Sequence, residues 1–459
     1  MTDILQKEKE KADYTEGSII QSILKMGLPS MIGFLVLHFY YMVDMFWLSR
    51  LPQKETAVAA VTIFSNISWV FFSFNSLIGA GSVAVISRRY GEKNYDAAET
   101  AIKETFLLKW LSGMTLGILG FILISQLVYI GGARDETYSL AVQYGQVIFL
   151  GMGFSYATYS VYTAMRGVAN PNLAMSMMLC STALNVILDP LFIFGYLGFP
   201  ALGVRGAAVA SVLSYTATFL AGVVIFHTGI TNVKLHLKSR VGMSLSTMFQ
   251  IIRIGAPSWI GEMSYSGSRF IVMPMIAVFG NSVVAAYGVG MQISAIGISI
   301  LVGIGLGLAS LIGHNVGSGK KERAKATASQ AILLAIGIMI GLGIVLFILG
   351  GGIMSLYFSS ADTISHGFKL LRIFAIGFPF IGAYIMLEQI YGGVGMNKPA
   401  MIVNIVNAWL LQIPSIYILT RILSLDQNAV WWAMNGSTII SVIALYLYYS
   451  KGQWLHAKI

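Results

Sequence analysis

Two aspartates lie deep in apolar sequence, Asp44 in the first hydrophobic run and Asp189 in the run that contains Asn185. Asn185 and Asp189 are four residues apart and share one face of a helix. Pro190 follows directly; its ring lacks an N–H and clashes with the Val186 carbonyl, which frees that oxygen. Two carboxylates, an amide and a loose carbonyl are hard oxygen donors suited to Na⁺. Two close carboxylates also suit a proton shared between them. The plain alternative is a polar knot with water that pins two helices together. An ionisable side chain in a membrane span costs at least about 2.5–3.5 kcal/mol, so each needs a partner or a water-filled cavity.

Glu262, Arg269 and Glu388 are further charges in apolar runs. Glu262 and Arg269 are seven apart and share a face, which fits either a second cation or substrate site or a salt bridge closing the bundle. The salt bridge is the expectation for Arg269, and Glu388 stays open to both. Lys109 is expected to snorkel to a membrane surface. His38 is six residues from Asp44 and on a different helix face. Phe39, Tyr40, Tyr41, Phe46 and Trp47, with Tyr156, Tyr159 and Tyr162, form an aromatic set. Such rings attract flat lipophilic cations or simply face lipid and core. The expected substrate cavity is therefore Tyr40, Tyr41, Trp47, Tyr156, Tyr159, Glu262, Arg269 and Glu388.

The chain has 459 residues, 56% hydrophobic and only 10% charged. About twelve runs reach the roughly 20 residues that cross a bilayer, and backbone satisfaction in lipid makes them helices. None shows the alternation of a membrane β-barrel. The expected fold is all-α and membrane-embedded, with twelve transmembrane helices in two parallel-repeat six-helix bundles. The repeat is explicit. Gly79 to Gly91 recurs as Gly305 to Gly317, and Val204 to Ser211 as Val430 to Ser437, at a spacing of 226. Pro29 recurs as Pro257, at 228. In the second copy Asp44 falls opposite Val272 and Asp189 opposite Ser415. The scaffold itself needs no acid at either place. The division expected is 1–22 an N-terminal segment, 23–228 the first bundle, 229–246 a linker, 247–450 the second bundle and 451–459 a tail.

The formal charge of +10 follows topology. With both termini inside, twenty Lys and Arg lie on inner loops and flanks and seven on the outer side. That is a strong positive-inside bias and implies a multi-pass cell-membrane protein with cytoplasmic termini. It argues against nucleic acid, which would need a clustered basic patch with aromatic platforms. The polar residues 1–22 do not form a cleaved signal, and the lone Cys180 permits no intrachain disulfide. The glycine runs lack the phosphate-loop pattern, and no nucleophile–base arrangement supports an enzyme. Parallel halves favour a rocking transporter over a channel or receptor, and Pro29, between Gly27 and Gly33, is the expected hinge.

The run Leu184–Asn185–Val186–Ile187–Leu188–Asp189–Pro190–Leu191–Phe192–Ile193–Phe194–Gly195 closely resembles the span-5 signature of the multidrug and toxic compound extrusion (MATE) family. Phe199 to Ala208, Met165–Arg166–Gly167 and Ser310 to Gly317 are similar to its other motifs, and the resemblance runs from about Ile23 to Tyr449. The pairing of a span-1 aspartate with Asn-x-x-x-Asp looks like the prokaryotic branch related to DNA-damage-inducible transporters. The resemblance implies a secondary exporter that antiports cationic or lipophilic organic compounds against Na⁺ or H⁺ by alternating access. It needs no cofactor beyond the coupling ion and is expected to act as a monomer in the lipid bilayer. By position the coupling site would be Asp44, Asn185, Asp189 and Ser211, with Asp44 and Asp189 as ligands if the ion is Na⁺. Glu262 and Glu388 fall in the spans where another branch carries coupling acids, at offsets that do not match it. A lipid-linked oligosaccharide flippase of the same superfamily and a channel or receptor without gradient coupling are the alternatives.

Overall fold

The computed structural model describes residues 14–236 and 244–457. Lys7, Lys9, Lys11, Lys238, Arg240 and Lys458 lie outside the described residues, as do the side chains of His38, Phe39 and Tyr41. The first repeat comprises α1 (Ile19–Leu48), α2 (Lys54–Gly91), α3 (Tyr95–Ile130), α4 (Asp135–Leu150), α5 (Met152–Gly167), α6 (Pro171–Phe194) and α7 (Val204–Thr228). The second comprises α8 (Leu245–Ala277), α9 (Asn281–Gly317), α10 (Lys321–Ser355), α11 (Ala361–Gly393), α12 (Lys398–Ile405), α13 (Ile413–Tyr417) and α14 (Gln427–Ser450).

These are twelve rods. In the first lobe α4 and α5 form one rod broken at Gly151, where a Cβ would meet Val212 of α7 at 2.3 Å. In the second, α12 and α13 form one rod with π-helical winding at Val406–Gln412 and Ile418–Ile422. Ten candidate spans are long and apolar enough to cross a membrane. The other two rods are the broken α4–α5 and α8, which carries Arg253, Glu262 and Arg269. Local chemistry sets the ends. Asn94 and Ser360 accept hydrogen bonds from the backbone N–H of Ala97 and Thr363 as N-caps. Gly195 ends α6 in the left-handed conformation (φ 77°), the C-cap that glycine adopts without strain.

The two lobes meet through equivalent helices in a near-symmetric pattern. A Cβ at Gly81 of α2 would lie 1.9 Å from the Ile251 carbonyl oxygen of α8. Its repeat counterpart, Gly307 of α9, would place one 2.4 Å from the Met26 carbonyl oxygen of α1. Backbones approach this closely only where side chains are absent. Farther along, Gly91 sits on His314 and Gly317 on Arg88, again a pair exchanged by the repeat. The interface begins at Ser73, which accepts from Trp259 Nε1 (3.3 Å), with Phe74 against the Trp259 ring at 4.6 Å. It ends at the face that carries the first and last described residues. There Arg88 donates to the Ala457 carbonyl (2.7 Å), Arg323 to the Gly17 and Glu16 carbonyls (2.8 and 2.9 Å), and Lys320 to Thr15 Oγ1 (2.8 Å). His314 Nε2 spans the lobes to the Gly167 carbonyl at 2.7 Å. The described lobe-to-lobe hydrogen bonds and ring contacts all fall in this half. The lobes are thus closed on the terminus-bearing face.

The cores differ. Among the described residues the second lobe has one continuous apolar core, from Val272 to Leu455, which Ile23 of α1 joins. The first lobe has two, one around Ile78, Tyr162, Met178 and Phe226 and another around Phe64, Phe149, Tyr156 and Ala208. Polar side chains occupy the seam between them.

Candidate cation site in the first lobe

The seam holds Asp44, Asn185, Asp189 and Ser211, brought together by α1, α6 and α7. On each helix the site lies between residues of the two cores: Leu37 and Leu48 on α1, Met178 and Ile193 on α6, Ala208 and Phe226 on α7. All four residues are buried, with at most 3% of their surface exposed. Asn185 Nδ2 donates to Asp189 Oδ1 at 3.1 Å, and Ser211 Oγ donates to Asp44 Oδ2 at 3.5 Å. The carboxyl groups of Asp44 and Asp189 are near enough to act on each other. Asp44 Oδ1, Asp189 Oδ2 and Asn185 Oδ1 are buried with no hydrogen-bond partner. Neither acid forms an ion pair among the described residues. Buried oxygens in this state carry a full desolvation penalty unless something occupies them. Three unpartnered oxygens on neighbouring side chains, two of them from carboxylates, match a small hard cation or a proton. Because α6 runs through Pro190, the Val186 carbonyl also lacks its helical donor.

Tyr40 lies one helical turn below Asp44 and stacks on Tyr215 of α7 (5.5 Å between centroids, 23°). It belongs to this site rather than to an open cavity. The sequence reading overlooked Tyr215, which shares a helix face with Ser211 four residues earlier; that spacing was the available signal.

The remaining expected cavity residues divide. Tyr156 is fully buried in the core around Phe64 and Phe149, and its hydroxyl donates to the Phe71 carbonyl. Trp47 packs edge-on against Phe46 and Phe194, and Tyr159 against Phe72 and Tyr162. The Tyr41 side chain lies outside the described residues. Glu262 and Glu388 are half-buried and act on one another electrostatically across α8 and α11. Asn404 is hydrogen-bonded to Tyr384 beside them, and Ser76 of the first lobe reaches Glu262. The expected Glu262–Arg269 salt bridge is absent among the described ion pairs. Seven residues are about 10 Å along a helix, and the Arg269 guanidinium sits over the Tyr265 ring at 5.5 Å instead. Lys109 does not snorkel. It is 1% exposed and turned inward against Gly79. Pro29 lies inside an unbroken α1, with Gly27 against Ile304 of α9 on one side and Gly33 against Met178 of α6 on the other.

A family model described as MatE matches the chain twice, at residues 29–191 and 257–418, which are the two repeats. The chain is 25% identical over 395 residues to "Probable multidrug resistance protein YoeA" of Bacillus subtilis (strain 168), covering 86% of this chain and 85% of that one. It is 23% identical over 450 residues to "Multidrug export protein MepA" of Staphylococcus aureus (strain MSSA476), covering 96% of each. Among solved structures, one described as MATE in the bent conformation superposes with a TM-score of 0.89 at 24% identity, covering 98% of this chain and 99% of that one. One described as MATE in the straight conformation gives 0.86 at 25% identity, covering 98% and 100%. Two matched repeats and a shared twelve-helix fold make this chain a multi-pass membrane transporter of the MatE family.

Proposed function

We propose that this transporter is a secondary active exporter, moving lipophilic or cationic organic compounds outward in exchange for inward Na⁺ or H⁺. The observation that carries the reading is the set of three unpartnered oxygens from Asp44, Asp189 and Asn185, sealed in the seam of a core that the other lobe keeps continuous. The relatives that match most of the chain are described as multidrug export and resistance proteins, which supports a drug-like cargo.

Asp44 and the lobe interface share one helix. Met26 and Gly27 of α1 contact α9, and Pro29 lies between them and Asp44. A cation bound between Asp44 and Asp189 draws α1 toward α6 and α7, and a bend at Pro29 passes that pull to the Met26–Gly307 contact. With the termini cytoplasmic, the closed face is the inner one, so this state receives cations from outside. Glu262 and Glu388 offer the organic cation its counter-charge on the second lobe. Cation and cargo then favour opposite states, and each shifts the balance only by its differential affinity for them.

Reconstituted vesicles test this with paired variants. Asp189→Asn is expected to abolish gradient-driven export of a fluorescent lipophilic cation while the protein stays folded in the membrane. Ser415→Ala, at the equivalent place in the second repeat, is expected to leave export intact. Undiminished export by folded Asp189→Asn contradicts the assignment.

A further inference from the structure

The inner half of the first lobe holds two buried basic side chains that no acid pairs with among the described residues. Lys109 of α3 and Arg166 of α5 are 1% and 5% exposed. Neither takes part in a described ion pair. Arg166 Nε and Nη1 are buried without a hydrogen-bond partner. The two side chains are near enough to act on each other electrostatically. Next to Arg166, the Tyr162 hydroxyl and Ser181 Oγ face one another without the geometry of a hydrogen bond, and both are unpartnered. The four donor groups therefore follow one another, Lys109 beside Arg166, Arg166 beside Tyr162 and Tyr162 beside Ser181, with no acid paired to either base among the described residues. That arrangement is costly in a membrane protein unless an anion joins it.

The site also has room. Gly79 of α2 is half-buried, and a Cβ there would meet nothing within 4 Å except the Lys109 ammonium, at 3.6 Å. The missing side chain leaves a space lined by the amine. A guanidinium and an ammonium flanked by two hydroxyls are the donors that recognise phosphate-class oxyanions.

We propose that Lys109 and Arg166, with Tyr162 and Ser181, form an oxyanion-binding subsite in the first lobe that takes a phosphate group, free or as the headgroup of an amphiphile. The subsite adds an acidic headgroup to the cargo of the exporter reading, and it rests on that reading only for its physiological meaning. Equilibrium binding needs no ion gradient, so the two stand or fall separately.

The test uses the full chain in phosphatidylcholine nanodiscs, with thermal melting and calorimetric titration as readouts. The probes are inorganic phosphate, lysophosphatidic acid and, as the matched control, lysophosphatidylcholine. Wild type is expected to bind lysophosphatidic acid in preference to the control. Lys109→Met should weaken that binding at least about tenfold, and Lys109→Arg should retain it. Gly79→Leu, which fills the space without altering charge, should block it; this variant keeps the test open if a charge variant does not fold. Stabilisation by phosphate alone identifies the free oxyanion as sufficient, and stabilisation only by lysophosphatidic acid identifies a lipid-borne headgroup; both support the subsite. No binding of either probe, or equal binding by wild type, Lys109→Met and Gly79→Leu, overturns it.

Discussion

The closed face depends on backbone contacts that a single methyl group would break, and Gly81→Ala tests this. The new Cβ would stand 1.9 Å from the Ile251 carbonyl oxygen and 2.7 Å from its carbon. Ordinary contact begins near 3.4 Å, so α2 and α8 must part by roughly 1.5 Å (3.4 less 1.9). Backbone cannot rotate out of the way as a side chain would. Overpacking of this kind costs roughly 1–3 kcal/mol, and the cost falls only on the state in which this face is shut. The population should move toward the opposite state by about 5- to 150-fold. Spin labels at Lys93→Cys and Lys325→Cys, exposed on the two lobes, read the separation once Cys180 is replaced. Gly307→Ala, the repeat counterpart, should shift the distances in the same direction. Gly337→Ala is the control, because nothing lies within 4 Å of its Cβ. A folded Gly81→Ala protein with the wild-type distance distribution would show that this contact does not hold the face shut.

The strap at the terminus-bearing face should loosen in Arg323→Ala, which loses its bonds to the Gly17 and Glu16 carbonyls. We expect about 1–2 kcal/mol of local destabilisation, read as faster hydrogen exchange over residues 14–22; unchanged exchange contradicts it. Trp431, 1% exposed and stacked on Tyr287 at 5.3 Å, anchors the second core. Trp431→Ala should cost about 3–5 kcal/mol and lower the melting temperature in detergent, while first-lobe ligand binding is spared. Arg269→Gln should leave the melting temperature near wild type, because the guanidinium rests on a ring and neutralises no acid; a large loss would point to an ion pair after all.

The parts of this protein that repeat were legible from sequence, because a duplicated chain carries its own control. The spacing of 226 picked out glycines that make equivalent close contacts from the two lobes, and the missing acids at Val272 and Ser415 singled out Asp44 and Asp189. What stayed hidden depended on side-chain direction. Lys109 reads as a snorkelling lysine on its own helix; only the gap at Gly79 on another helix shows why it turns inward. Glu262 and Arg269 share a face, but their axial separation decides against a pair and cannot be weighed without a competing ring. Tyr40 and Tyr156 read alike as aromatics in spans, yet one stacks beside the acids and the other is tied to a carbonyl in the core around Phe64 and Phe149. The split of the first core is also invisible in the chain, since it emerges only when polar residues from α1, α6 and α7 reach one level.

Whether an inward cation drives export through Asp44 and Asp189 is decided by imposing a Na⁺ gradient and a pH gradient separately on vesicles. Efflux of a fluorescent lipophilic cation is followed in wild type and Asp44→Asn. Export should be driven by one of the two gradients, with the counter-ion entering as cargo leaves, and both movements should be lost in Asp44→Asn. Export that ignores both gradients, or that persists in the folded variant, would contradict it.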